Sequence, residues 1–436
     1  MTNPIKLGKG EPAAADLQAR ASFAGDSTES GSLKQYFRGY VNKLRSGDIG
    51  SLPAILGLFF LLLLFGIVIP SGQNFVTPGN FANLITQAGA ICVLAMGVGF
   101  VLLLGHIDLS AGVTGGVGAA VMAQMILKQG YSWWVAVLAA LVTGVVLGFI
   151  TGLLVSKVGI PSFVVTLAFF LAWQGLTLFL IGNGGTVRIN DPIIVGISNS
   201  NMPVTTGWIV VILALVAYAA LNLWVWRSRR ARDLVTPPMA VIVIRIAVIS
   251  VLLLAATAVL STNRAAERVR ATVDLSGIPW VAPLVAVLLV IWTFVQNRTA
   301  FGRYIYAVGG NPEAARRAGI KVGKITVMCF VICSSMAVLS GIIATSRLSS
   351  VTADAGAGNT LLYAVAAAVI GGTSLFGGKG KARDAIIGGL VIALIDNGLG
   401  LLGLESSIKF LITGLVLLLA ASVDAISRKR TAGSGG

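Results

Sequence analysis

About twelve apolar runs, most of them long enough to cross a bilayer, follow one another from Leu52 to about residue 426, and no other feature limits the fold so strongly. They cover 52–70, 81–104, 110–127, 133–155, 162–181, 207–226, 239–260, 279–296, 324–345, 361–376, 384–403 and 407–426. A bilayer core asks for roughly 20 apolar residues per helix, and any shorter piece must be sheltered by protein. The pattern predicts an all-α, polytopic transmembrane helical bundle of about 12 membrane-embedded segments, some short or broken. With 56% hydrophobic and 11% charged residues and a mean hydropathy of +0.90, no water-soluble fold is expected.

The formal charge of +16 raises the possibility of nucleic-acid binding, but the basic residues are dispersed among loops between apolar runs. Membrane orientation accounts for them better. With the N-terminus in the cytoplasm, alternation puts Lys157, Arg227 to Arg232, Arg298 to Lys324, Lys379 to Arg383 and the tail Arg428-Lys429-Arg430 inside. One connection runs against this rule: Arg264, Arg268 and Arg270 fall outside, partly offset by Glu267 and Asp274. The expected organisation is a cytoplasmic N-terminal tail (1–50), a transmembrane domain (51–427) and a cytoplasmic C-terminal tail (428–436). Within the N-terminal tail, the apolar positions of 33–46 fall at helical spacing among lysines and arginines. They fit an interfacial helix on anionic membrane lipid, or equally a short helix packed on the protein.

Three cysteines, Cys92, Cys329 and Cys333, stand in apolar runs and read as small hydrophobes, and His106 is the single histidine. Neither a disulfide framework nor a metal centre is expected. No cofactor is implied.

Two segments, 110–127 and 361–376, are rich in Gly, Ala and Ser, and suit closely packed or partly broken helices. Their places in the two halves hint at an inverted repeat. Ahead of the first, Gly105-His106-Ile107-Asp108-Leu109-Ser110 puts a carboxylate and a hydroxyl where a helix begins. Asp108 or Ser110 can cap that helix, or His106 and Asp108 can face the conduction pathway or its gate. Behind the second, Gly371 to Gly380 suggests a phosphate loop but fails its spacing, since Thr373 replaces the first glycine and Gly380 follows Lys379. It reads as a packed turn. The isolated polar residues Gln87, Gln174, Asn183, Asp396 and Asn397 either join helices or line a pathway for a hydroxyl-rich solute.

Residues 309–323 interrupt the apolar pattern with a short polar helix. Pro312 and Glu313 suit its first turn, Arg316 and Arg317 its last, and Gly319 its end. Such a helix at the cytoplasmic face is what a separate motor subunit would push on.

The ordered set Gly105 to Ser110, Asn297 to Asn311, Glu313-Ala314-Ala315 through Gly319-Ile320, and Gly371 to Leu375 through Lys379-Gly380 resembles the permease subunits of bacterial ABC sugar importers, the ribose, arabinose and xylose group. The resemblance spans about residues 80 to 425. It implies a permease homodimer in the inner membrane, two cytoplasmic ABC ATPase subunits and a periplasmic sugar-binding protein. By motif, it places Glu313, Ala314, Ala315, Arg316, Arg317 and Gly319 in the ATPase-coupling segment. The extra stretch from Arg227 to Trp280, and His106, look more like the xylose-type permeases. The resemblance thus implies a transport subunit with no nucleotide site of its own, working by alternating access. The rival class is an ion-coupled secondary transporter using Asp108 or Asp396, and a membrane enzyme is a third; transport by the chain alone on a proton or sodium gradient would distinguish the first rival.

Overall fold

The computed structural model describes residues 50–70, 75–182, 185–232, 234 and 236–433. The expected helix at 33–46, and Asn183, lie outside these residues.

The helices are α1 (Leu52–Val68), α2 (Pro78–Leu103), α3 (Ala111–Leu127), α4 (Trp133–Leu153, extended by a π-helical turn over Leu154–Val158), α5 (Ser162–Ile181), α6 (Pro192–Asn199), α7 (Val204–Arg230), α8 (Met239–Leu260), α9 (Val281–Arg298), α10 (Ala300–Gly310), α11 (Pro312–Arg317), α12 (Val322–Leu348), α13 (Thr360–Gly371), α14 (Ala382–Leu401) and α15 (Ser406–Gly433). Every one of the twelve apolar runs is a helix. Among the described residues, eight are long and apolar enough to span a membrane, and four more are shorter apolar helices. The run at 361–376 is shorter than hydropathy suggests. Gly372 adopts a left-handed conformation (φ 118°) and ends α13, so Leu375 and Phe376, although apolar, belong to a turn.

Ile209–Ala255 form a unit of their own, comprising most of α7 and α8. Its apolar side chains are largely exposed, as suits helices solvated by lipid. At its turn the Trp226 indole donates to the Pro237 carbonyl (3.1 Å) and lies under the Arg230 guanidinium.

The second unit holds the remaining helices. At its centre α2 packs on α12, α13 and α14, while α12 packs on α2, α3 and α4; α3 lies on α4 and α5, and α13 on α14 and α15. Each contact of the α2–α5 series thus has a counterpart in the α12–α15 series. Because α2 and α12 run antiparallel, with Ser340 on Ala90 and Gly97 on Met336, the second series repeats the first with inverted sense. The repeat hinted at by the two small-residue segments exists as packing. Lipid is as apolar as leucine, so helices associate here by close approach rather than by hydrophobic burial. Gly144, Gly148 and Gly152 of α4, one turn apart, accordingly press on Val338, Phe330 and Val327 of α12. The first two turns of α3 press on the loop that precedes α13, where Gly112 meets Gly356 and Gly116 meets Ala355.

Two short antiparallel ribbons lie together away from the basic turns: β1 (Thr186–Arg188) pairs with β4 (Ser350–Thr352), and β2 (Asn201–Met202) with β3 (Ile278–Pro279). Of the three arginines that strained the charge rule, Arg264 is structural there. Arg264 donates to the carbonyls of Leu260 (2.6 Å) and Gly277 (3.0 Å), pinning the loop between α8 and β3.

Candidate functional site: a coupling segment interlocked with two turns

The opposite end gathers the C-terminus of α2, the π-turn after α4, α10 and α11, the start of α12 and the turn between α13 and α14. Lys157, Arg303, Arg316, Arg317, Lys321, Lys324, Lys379 and Lys381 belong to these elements, with Arg298 at the end of α9 and Arg383 at the start of α14, against Glu313 and Asp384. The end is strongly basic.

Within it, α10 is amphipathic and buries Ile305 and Val308 against Phe100, Leu103 and Leu104 of the α2 end, and Gly302 against the backbone of Val295 and Gln296 in α9. Thr299 caps it by accepting from the Gly302 amide at 3.1 Å. Asn311 ends α10 and caps α11, its side chain accepting from the Ala314 amide at 3.0 Å. Pro312 occupies the first position of α11, where its missing N–H costs nothing. Glu313 and Arg316 pair across the turn at 2.6 Å, with both side chains about two-thirds exposed. Ala314, Arg316, Arg317 and Gly319 are also exposed, whereas Ala315 is buried against the same cluster as α10. Gly319 has φ 81° in open space and turns the chain into α12. The six residues named from the sequence therefore form one projecting turn with a single anchor, Ala315.

Beneath this turn the chain is interlocked through backbone groups. The Gly378 amide donates to the Leu103 carbonyl at 2.9 Å. Gly309 fits between them so closely that a methyl there would collide with the Leu103 oxygen. The Tyr306 hydroxyl donates to the Gly380 carbonyl at 2.6 Å, and Gly105 abuts the Phe376 carbonyl. Gln296, at the end of α9, accepts from the Ala382 amide at 2.8 Å. Three connections, 104–110, 299–321 and 372–381, meet here. The phosphate-loop look-alike uses its amides internally, Ser374 donating to Lys379 (2.9 Å) and Gly378 to Leu103.

The residues named as pathway candidates do not converge on one place. Asp108 is buried and accepts from both the amide (2.9 Å) and hydroxyl (2.7 Å) of Ser110, which sets the start of α3. The Ser110 side chain itself makes no capping bond to an amide of α3. His106, half-buried, lies beside Phe330 with ring centres 6.0 Å apart. Between α2 and α14, Gln87 donates to Asp396, and Asn80 and Asn397 exchange hydrogen bonds at 3.0 and 2.8 Å. These four join helices. Gln174 stands apart on α5, next in sequence to Trp173 of the stacked Phe169–Trp173 pair. Asn80 was as visible as Asn397, lying seven residues before Gln87 on one helical face. Tyr306 and Gln296 were not, because each bonds a backbone group more than 70 residues away, which carries no sequence signature.

Comparison with known proteins follows this geometry. Residues 80–421 match the family described as "Branched-chain amino acid transport system / permease component". The xylose transport system permease protein XylH of Escherichia coli (strain K12) is 35% identical over 360 residues, 82% of this chain and 87% of that protein. XylH of Haemophilus influenzae is 30% identical over 388 residues, covering 89% and 99%. The ribose import permease protein RbsC of Escherichia coli (strain K12) is 31% identical over 371 residues, covering 84% and 92%. No solved structure matches.

Proposed function

Because this chain belongs to the branched-chain amino acid transport system / permease component family, we propose that it is the permease subunit of an ATP-driven importer for a pentose, xylose or a close relative. The relatives compared above are named for xylose transport and ribose import, and of these three the one with the highest identity is a xylose permease. ATP is hydrolysed by a separate cytoplasmic ABC ATPase, and sugar arrives from a periplasmic binding protein. Two copies of the permease pair in the bacterial inner membrane, in contact with lipid and with both termini cytoplasmic. The basic end is then the cytoplasmic end, since Lys and Arg are retained on that side.

One observation supports this assignment above the others: the exposed turn Glu313–Gly319 projects from the basic end and rests on contacts to two further connections of the bundle. A turn so placed can receive a push from a soluble motor and pass it into the membrane. ATP-driven closure of the motor would displace α11, and the bundle would exchange an outward for an inward opening. His106 and Asp108, in the connection that abuts Phe376, are placed to feel that displacement as part of a gate. Gln87, Asp396 and Asn397 act by holding α2 to α14, and Gln174 is left as the candidate to meet solute.

Reconstitution tests the assignment. Xylose uptake into proteoliposomes should require the ATPase, ATP and the binding protein together. Glu313→Lys or Gly319→Leu should abolish uptake while membrane insertion persists. Xylose movement by the purified chain alone on a proton or sodium gradient would overturn it.

A further inference from the structure

The glycine-rich turn after α13 has no part in nucleotide binding, yet it carries four glycines with positive φ, Gly372, Gly377, Gly378 and Gly380, in a stretch of nine residues. Such a turn is shaped for close backbone approach. What approaches it is the coupling segment. Tyr306 reaches across from α10 to the Gly380 carbonyl, and Gly309 presses against Gly378 and Leu103. From this junction two routes run inward. One follows Leu103 through Gly105 to Asp108, which sets the start of α3. The other follows the turn back into α13 and forward into α14, whose first helical amide is held by Gln296. Both α3 and α13 are short, and the first turns of α3 press on the loop that leads into α13, at Gly112–Gly356 and Gly116–Ala355.

We propose that Tyr306 is a positioning residue of the transport cycle: its hydrogen bond to Gly380 locks the ATPase-contact turn to the glycine-rich turn, so that displacement of α11 moves α13 and α14 rather than being absorbed locally. The inference rests on the permease reading above. Side chains that only dock the motor would sit on the exposed face with Glu313. Tyr306 instead faces inward, half-buried, and burial together with the nearby Asp384 carboxylate pushes its phenol up to about 12. It therefore remains a protonated donor throughout the physiological range.

The test compares the parent complex, Tyr306→Phe, and a variant carrying 4-aminophenylalanine at 306, which restores a donor of similar reach. Each is assembled with ATPase and binding protein in proteoliposomes, and radiolabelled D-xylose uptake is measured per ATP hydrolysed. Tyr306→Phe should assemble with unchanged ATPase affinity and hydrolyse ATP, with xylose per ATP falling roughly five- to tenfold, the weight of one neutral hydrogen bond. The aminophenylalanine variant should recover most of that ratio. An unchanged ratio in Tyr306→Phe, or a loss confined to assembly, would overturn the proposal while leaving the permease reading intact. If the parent complex itself takes up no xylose with ATP, the permease reading fails, and the proposal with it.

Discussion

The centre of the bundle and its basic end both bring backbones together through glycine, but they do so in different ways. At the centre, Gly144, Gly148 and Gly152 lie within a helix and meet α12 over three successive turns. At the basic end, Gly309, Gly378 and Gly380 lie at helix ends and turns, held by single hydrogen bonds at Leu103 and Tyr306. Repeated contact along a helix is additive and rigid, whereas a few isolated bonds can be exchanged at small cost. The difference teaches where motion is allowed: the seam of α4 with α12 is a scaffold, and the interlocked turns form a joint.

The largest effect should come from filling the scaffold. A methyl on Gly148 would stand 2.6 Å from the Phe330 carbonyl oxygen and 2.8 Å from Val331 Cα. Backbone cannot yield as a side-chain end can, so Gly148→Val should cost about 3 kcal/mol or more and leave little folded protein. Detergent-stable yield and melting temperature measure this. A variant that melts like the parent would mean that α4 and α12 slide freely, and the scaffold would have to be sought elsewhere.

Intermediate effects come from the polar joints of the scaffold. Asn80 and Asn397 satisfy each other between α2 and α14. Replacing either with Ala should cost about 1 kcal/mol, and replacing both should cost scarcely more than one alone. A thermal-melt double-mutant cycle checks the coupling. Since the Asn80 amide also donates to the Phe75 carbonyl at 3.0 Å, full additivity of the two losses would show that Asn397 has a partner besides Asn80, in keeping with a pathway role for Asn397.

Much of this contrast was legible in the chain. Hydropathy places all twelve helices, because in a bilayer each span must satisfy its own backbone and cannot defer to partners far off in sequence. The cap at Asn311, the first-turn Pro312 and the left-handed Gly319 follow from local chemistry in the same way. The spacing of Gly144, Gly148 and Gly152 is equally visible, but the apolar residues around it read as lipid-facing until a partner helix is known. The end of α13 was misread because Leu375 and Phe376 extend the apolar run past a glycine that reverses the chain. Tyr306 was beyond reach, since the carbonyl it seeks belongs to a turn 74 residues on. Gln87 and Asp396, in separate helices, bond each other, a pairing that is visible only once α2 lies against α14.

A smaller effect should appear at the joint under alkaline conditions. Burial raises the Tyr306 phenol from an ordinary value of 10.0 to about 12. Between those values the unfolded chain has ionised this group and the folded chain has not, so the folded state holds the extra proton. Stability from this source is fully present below about pH 10 and is lost as pH climbs through about 12. Tyr306→Phe lacks the group and should show a shallower alkaline decline in melting temperature, the other titrating residues being common to both. Parallel declines would place the phenol in water and weaken the joint.

The smallest effect on stability should be found at Glu313, where the proposed function expects the greatest effect on uptake. Glu313 and Arg316 form an exposed pair on one turn of α11, in contact with solvent on both sides. Such pairs contribute about 0.2–0.5 kcal/mol and less at high salt, because water screens the charges and two mobile side chains must be ordered. Glu313→Ala should therefore leave the melting temperature of the isolated chain almost unchanged at low salt and indistinguishable from the parent at high salt. The contrast with Gly148→Val then separates two kinds of glycine-supported structure: one in which residues hold the fold, and one in which the fold holds residues out for a partner. A large thermal loss for Glu313→Ala would mean that α11 is part of the scaffold, and a turn fixed so firmly could not serve as the moving member of the joint.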